Sequence, residues 1–268
     1  MQMTWRWYGE GNDPITLADI KQIPGVTGIV WALHNKLPGE IWTVEEIEEV
    51  RQQIEGAGFN MDVVESVNVH DDIKIGLPTR DGLIENYKAT MRNLSKFGVK
   101  VICYNFMPIF DWTRTDLFHP VGDGSTALFY QKDMIRDDYK SMAEYILSFT
   151  EKYNMTFPGW EPERMAKLDE LFAAYKDVTK EKLWDNLRYF LEALMPTCHE
   201  TGIIDILRAY HENDYQGYIR PDHGRQLWEE GPGNCRPGYG KYDRALGIQY
   251  MLGVWDLLDR LKEEKNNG

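Results

Sequence analysis

The feature that limits this chain most is an alternation of two periods in its first 106 residues. Short runs rich in β-branched or aromatic residues stand at Thr4–Tyr8, Val26–Leu33, Met61–Val69 and Val99–Phe106. Such runs read as strands, and continuously apolar ones as strands buried on both faces. Between the later runs lie apolar residues at helical spacing. Val44, Ile47, Val50, Ile54 and Ala57 form one such set, opened by a Thr43…Glu46 capping box and closed by Gly58. Leu83, Ile84, Tyr87, Met91, Leu94 and Phe97 form the next, closed by Gly98. Strand and helix alternating at this spacing predict a parallel sheet with crossover helices. No glycine-rich dinucleotide loop follows the first strand, so a Rossmann arrangement has little support.

The rhythm stops at Asp111. Residues 111–178 hold Gly122-Asp123-Gly124, a helical stretch near 137–150, the turn Pro158-Gly159-Trp160, and a helix with Met165, Leu168, Leu171 and Phe172 on one side. A segment this long after a strand's carboxyl end predicts a helical insertion that acts as a lid or an oligomer contact. Thr179 caps a further helix with Leu183, Leu187, Phe190, Leu191 and Leu194 on its apolar face, and residues 205–210 read as a short helix. Gly217–Arg220 is a fifth strand, stopped by Pro221. A final helix is predicted from Tyr242 to Leu261, burying Ala245, Leu246, Ile248, Met251, Leu252, Trp255 and Leu258. The chain thus reads as a single α/β domain over residues 1–268.

Composition narrows the partners. Apolar residues make up 43% of the 268, enough for one sizeable core. A net charge of −13 argues against nucleic acid or an anionic membrane. An anionic small molecule would need a local cationic or metal site to overcome that field. No window approaches the ~20 apolar residues of a membrane span, and no basic segment precedes an apolar run at the start. Cys103, Cys198 and Cys235 imply no disulfide framework. The expectation is a soluble, cytoplasmic protein.

The chemistry is concentrated behind the fifth strand. Asp222, His223, Gly224 and Arg225 follow Pro221 directly, and a Gly- and Pro-rich loop then carries Arg236, Tyr239 and Tyr242. A carboxylate and an imidazole at a strand's carboxyl end sit where α/β barrels keep their reactive groups. They are also ligand types for a divalent metal, although a hydrogen-bonded strand-end His is an equally ordinary role. Arg220 and Arg225 present guanidinium forks suited to a carboxylate, against the commoner role of a surface ion pair. His70 and Asp71 end the third strand and Asn105 the fourth, where hydroxyl contacts are made. Trp5, Trp7 and Tyr8 supply either a sugar-binding wall or core. His34, His119, His199 and His211 stand in no motif.

The strings Ile219-Arg-Pro-Asp-His-Gly-Arg225 and Pro237-Gly-Tyr-Gly-Lys-Tyr-Asp-Arg-Ala-Leu-Gly247 resemble the last strand and last loop of the mannonate dehydratase family. The resemblance extends to residues 4–9, 23–33, 35–43, 63–71, 103–116, 158–164 and 185–192. It implies a xylose-isomerase-like (β/α)8 barrel. It also implies removal of water from D-mannonate, giving 2-keto-3-deoxy-D-gluconate in hexuronate catabolism, with Mn2+ or Fe2+ as cofactor.

On the resemblance, Asp222 is a metal ligand, and His223 and Tyr239 are the acid/base pair. Trp7, Tyr8, His70, Asn105, Arg220, Arg225 and Tyr242 are the substrate-binding candidates. The partners implied are a small sugar acid and a second copy in a homodimer. Three family strings that supply the other ligands are absent: His-Pro-Asp-Asp-Pro-Pro, Cys-Thr-Gly, and a His near Arg-Asn. The chain therefore reads as a TIM-barrel derivative with about five of eight strands, missing about three βα units near Gly202–Asp205. Two other readings stay open: a related sugar-acid isomerase or epimerase, and a catalytically inactive remnant serving as an interaction module.

Overall fold

A computed structural model describes residues 2–110, 114–134, 139–153, 160, 162–203 and 217–252. In chain order the elements are β1 (Gln2–Arg6), α1 (Leu17–Lys21), β2 (Val26–Trp31), α2 (Val44–Gly56), β3 (Asn60–Asn68), α3 (Asp71–Ile75), α4 (Arg80–Ser95) and β4 (Val101–Asn105). There follow β5 (Asp116–Pro120), β6 (Thr126–Phe129), α5 (Tyr139–Tyr153), α6 (Pro162–Met165), α7 (Leu168–Tyr175), α8 (Lys180–Thr201) and β7 (Tyr218–Ile219). A last helix, α9, occupies 241–252. The expected helix at 205–210 and the end of the final helix, with Trp255 and Leu258, lie outside the described residues.

Five strands form one parallel sheet in the order β4-β3-β2-β1-β7. The first and last strands are neighbours, as barrel ancestry demands. The sheet is curled. β7 and β3 are three strand spacings apart, roughly 14 Å on a flat sheet. Yet the Tyr218 hydroxyl donates to Asp62 Oδ2 at 2.9 Å, and Arg220 reaches Glu65. The structure is an open (β/α) half-barrel, an incomplete TIM barrel.

Alternation along β1 and β2 turns one set of side chains into the core, and register shifts in the pairing of β3 bring Met61, Val64 and Val67 to the same side. Met3, Trp5 and Trp7 of the first strand, Ile29 and Trp31 of β2, and Met61, Val64 and Val67 of β3 belong to the main core with Ile20, Ile47, Ile54, Met91, Leu94 and Phe190 of the helices. The helices begin where the sequence signals them. Thr43 Oγ1 accepts from Glu46 N, and Glu46 Oε2 accepts from Thr43 N at 3.0 Å, a reciprocal cap. Thr179 caps α8 by accepting from Lys182 N. Each such cap contributes about 1 kcal/mol. Leu246, expected in the core, is 59% exposed, because Ala245, Ile248 and Leu252 turn the other side of α9 inward.

Among the described residues, 111–178 contribute no strand to the five-stranded sheet. They are not purely helical, however. β5 and β6 form an antiparallel hairpin around the Gly122-Asp123-Gly124 turn. Leu117, Ile146, Phe149, Trp160, Leu168 and Tyr175 make a second, separate core. Within it the Phe110 and Trp160 rings stack at 4.7 Å. Thr126 and Gln226 exchange backbone hydrogen bonds of 3.1 and 2.7 Å, so the hairpin rests on the last loop.

Candidate active site

The last loop folds back on the strand end because glycines remove the atoms that would prevent it. Gly224 N–H donates to Gly238 O at 2.8 Å, and Gly240 N–H to Gly224 O at 3.3 Å. A Cβ on Gly240 would stand 1.8 Å from the Arg225 carbonyl oxygen. One on Gly238, at φ +76°, would stand 2.2 Å from Leu128 Cδ1. This closure sets Tyr239 beside His223, ring centroids 5.0 Å apart, and edge-on to Tyr8 at 5.1 Å. Burial pushes the Tyr239 phenol well above its ordinary pKa, with Tyr8 and the Asp222 carboxylate adding to the effect. Tyr239 is therefore a protonated donor. His223 lies at the open side, its Nε2 3.3 Å from Asp222 Oδ2.

Below this pair lies an accumulation of cations. Arg6, Arg236 and Arg244 are 2%, 1% and 1% exposed. Arg236 and Arg6 lie over the Tyr8 ring at 3.9 and 4.3 Å; Arg244 lies over Trp5 at 3.9 Å and is 5.3 Å from the Tyr239 ring. Their hydrogen bonds run mostly to neutral carbonyls. Arg6 Nη1 donates to Trp7 O at 2.8 Å and Val30 O at 3.2 Å, Arg236 Nη1 to Asn12 O at 3.0 Å, and Arg244 Nη1 to Arg6 O at 3.4 Å. Burial pushes the Arg236 and Arg244 guanidiniums downward in pKa. His34 Nε2 sits 3.4 Å from Arg6 Nη2. Burial first, then the charges of Arg6 and Arg236, hold this imidazole well below its ordinary 6.5.

The sequence candidates divide. Tyr8, Arg220, Asp222, His223 and Tyr239 come together. Arg220 is engaged at both ends, by Glu65 and by Asp222 Oδ1 at 2.8 Å. Burial works against its charge, but these two carboxylates more than offset that and leave its pKa raised. Trp7 belongs to the core, its Nε1 donating to Ile15 O, so it forms no sugar wall. His70 caps α3, with Nδ1 accepting from Asp72 N at 3.1 Å. Asn105 Nδ2 donates to Ser66 Oγ at 3.1 Å. Arg225 is exposed and held by Asp123 and Asp243. The Tyr242 hydroxyl pairs with Glu229 beside Trp228. Asp71 is a structural joint: Arg164 grips it through Nε at 3.0 Å and Nη2 at 2.9 Å, and Tyr175 donates to it at 2.8 Å. Sequence reasoning missed Arg6, Arg244 and His34 as site residues. The signal for Arg6 was its place in Trp5-Arg6-Trp7, where alternation turns it away from two core tryptophans.

The family described as D-mannonate dehydratase (UxuA) matches residues 1–204 and 201–265. The chain belongs to the D-mannonate dehydratase family. The mannonate dehydratase of Shouchella clausii is 42% identical over 352 aligned residues, covering 96% of this chain and 97% of that one. The Bacillus subtilis enzyme is 41% identical over 361, covering 99% of each. A crystal structure of mannonate dehydratase from Streptococcus suis serotype2 superposes with a TM-score of 0.80 at 30% identity, covering 98% of this chain and 96% of that chain. Alignments of this length exceed the 268 residues present, and the two family segments meet at 201–204. The chain is a family member shortened internally where α8 ends. Its family is one of hydro-lyases.

The family resemblance implies a metal at Asp222. Both Asp222 oxygens face cations or an imidazole, Arg220 and His223. Among the described residues, no group of three or more His, Cys, Asp or Glu side chains is placed to hold an ion. Cys103 is half-buried, and desolvation with Glu65 nearby pushes its thiol up to about 12, away from the thiolate a metal requires. The described residues do not fit a divalent cation. Among them, no helix is long and apolar enough to cross a membrane.

Proposed function

We propose that this chain recognises D-mannonate, or a hexonate closely like it, at the cluster around Tyr8, and that its residues are arranged for loss of water from that acid. The observation that carries this reading is the Tyr239–His223 pair, 5.0 Å apart over Tyr8, in a chain of this family. Elimination needs a base for the proton next to the carboxylate and an acid for the hydroxyl leaving the next carbon. Tyr239, kept protonated by burial, suits the departing hydroxyl. His223, half-exposed beside Asp222, suits the proton abstraction. The enol formed then tautomerises to the 2-keto acid.

An acid/base pair supplies about 10²–10⁴-fold, far below a complete enzyme. The described donor set does not fit Mn2+ or Fe2+, and the proton transfers fall to Tyr239 and His223 alone. We therefore propose slow turnover or none, in a soluble, cytoplasmic homodimer whose 111–178 insertion covers the last loop. The test is to purify the chain, add excess Mn2+, and follow 2-keto acid while measuring bound metal. The expected result is little or no product and less than one metal per chain. Turnover at an ordinary enzyme rate with one bound metal would overturn the reading. An isomerised or epimerised acid as product would favour the isomerase alternative, and failure to bind any hexonate the remnant one.

A further inference from the structure

The guanidiniums that sequence reasoning assigned to a substrate carboxylate, Arg220 and Arg225, already hold carboxylates of the protein. Arg6 and Arg244 are buried instead. No ion pair to a carboxylate is found for Arg6 or Arg244 among the described residues, although each is about 98% or more buried. The Asp13 carboxylate, whose charge acts on Arg236 and Arg244 from a distance, accepts hydrogen bonds from Tyr8 N at 3.0 Å and Ile15 N at 2.9 Å. Arg244 Nε, Trp5 Nε1 and His34 Nδ1 are buried polar atoms with no hydrogen-bond partner. A charge taken out of water without an opposite charge is destabilising, and proteins keep such groups where a ligand supplies the missing charge. This occurs in a chain of net charge −13, where carboxylates are plentiful elsewhere.

We propose that Arg6 and Arg244, with Arg236 beside them, form the subsite for the carboxylate of a sugar acid. The subsite lies beside Tyr8 and Tyr239, whose rings stand 4.3 Å from Arg6 and 5.3 Å from Arg244. A planar carboxylate matches a guanidinium fork with two parallel hydrogen bonds, which a neutral polyol cannot reproduce. Tyr8 lies 4.3 Å from the Arg6 guanidinium carbon and Trp5 3.9 Å from that of Arg244, and the Arg244 Nε has no hydrogen-bond partner. Neutral His34 adds no further cation at this point.

The inference rests on the reading of the chain as a hexonate binder, and the test separates the two. Binding is measured by calorimetry on the full chain with D-mannonate, D-gluconate, acetate and the neutral polyol D-mannitol, without added metal. The expected order is D-mannonate tightest and D-mannitol undetectable. Arg244→Gln and Arg6→Gln should each weaken D-mannonate at least ~10-fold, Arg244→Lys less, and Arg51→Gln on the surface of α2 not at all. If a variant fails to fold, as judged by circular dichroism, the comparison of D-mannonate with D-mannitol on the unaltered chain decides. Equal binding of acid and polyol would overturn the subsite. D-mannonate bound as tightly by both Gln variants would overturn the subsite while leaving the hexonate reading intact. Binding of acetate and D-mannonate with equal strength, lost in Arg244→Gln, would leave the subsite and overturn the hexonate reading.

Discussion

Two buried polar clusters lie at the carboxyl end of the same sheet, one after β3 and one after β1, and they differ in how their charges are met. At the first, Asp71 is 8% exposed and accepts from Arg164 twice and from Tyr175, with Lys74 Nζ 3.7 Å away. Cation and carboxylate are present together, on α3, α6 and α7. At the second, Arg6 and Arg244 lean on aromatic faces and carbonyl oxygens instead. A cluster that meets its own charges fastens one part of a chain to another. A cluster that leaves cations over is shaped for something outside the chain. The first joins the insertion to the half-barrel, and the second is the substrate candidate.

Removing a partner from the complete cluster should give the largest effect. Arg164→Met would leave Asp71 as a buried carboxylate without its bidentate partner, and pairs broken this way cost about 3–5 kcal/mol. Urea unfolding of the variant should show a loss of that order, with proteolysis inside 111–178 accelerated. A loss below ~1 kcal/mol would mean that Asp71 is not what holds the insertion.

The same kind of change at the incomplete cluster should act differently. Arg244→Met removes a buried cation that has no carboxylate in ion-pair contact among the described residues, keeps much of the stem volume, and gives up the contact with Trp5. Cation–π attraction of about 1–2 kcal/mol is then set against a desolvation penalty of similar or larger size. The expected change in unfolding free energy lies within ~1 kcal/mol of zero or is stabilising. A loss matching that of Arg164→Met would place both clusters in one class and remove the distinction between joint and site.

Much of this was legible in the sequence, and the misses have physical causes. β2, β3, β4 and α2 were placed to within a few residues, because β-branched runs and the Thr43–Glu46 cap act locally. The neighbouring of β1 and β7 followed from family resemblance, since 211 residues separate them and no local pattern links them. The β5–β6 hairpin was overlooked inside a segment read as helical. Its strands are five and four residues long, too short for a period of two to declare itself, although Gly122-Asp123-Gly124 marked the turn. At the site, Asp222, His223 and Tyr239 were legible, because one loop carries all three. Arg6, Arg244 and His34 were not: they come from three distant positions, and an arginine carries no sequence mark of being buried.

The smallest expected effect is on pH dependence, and it bears on the same contrast. His34 lies 3.4 Å from Arg6, and its imidazole is held well below its ordinary 6.5 by burial and by the charges of Arg6 and Arg236. Unfolded, it takes up a proton as pH falls through ~6.5, whereas in the folded chain it resists. Between those two pKa values the unfolded state binds more protons. The neutral His34 therefore imposes no penalty above ~6.5. Below it stability is lost as pH falls toward the folded-state pKa, by no more than about 1.4 kcal/mol per pH unit. Subtracting the profile of His34→Gln isolates this contribution from the carboxylates that also titrate on acidification. A difference that stays flat between pH 4.5 and 7 would mean that His34 accepts its proton in the folded chain and that the excess positive charge is not felt there. With saturating D-mannonate the difference should shrink, because a carboxylate beside Arg6 cancels part of the field that keeps the imidazole neutral.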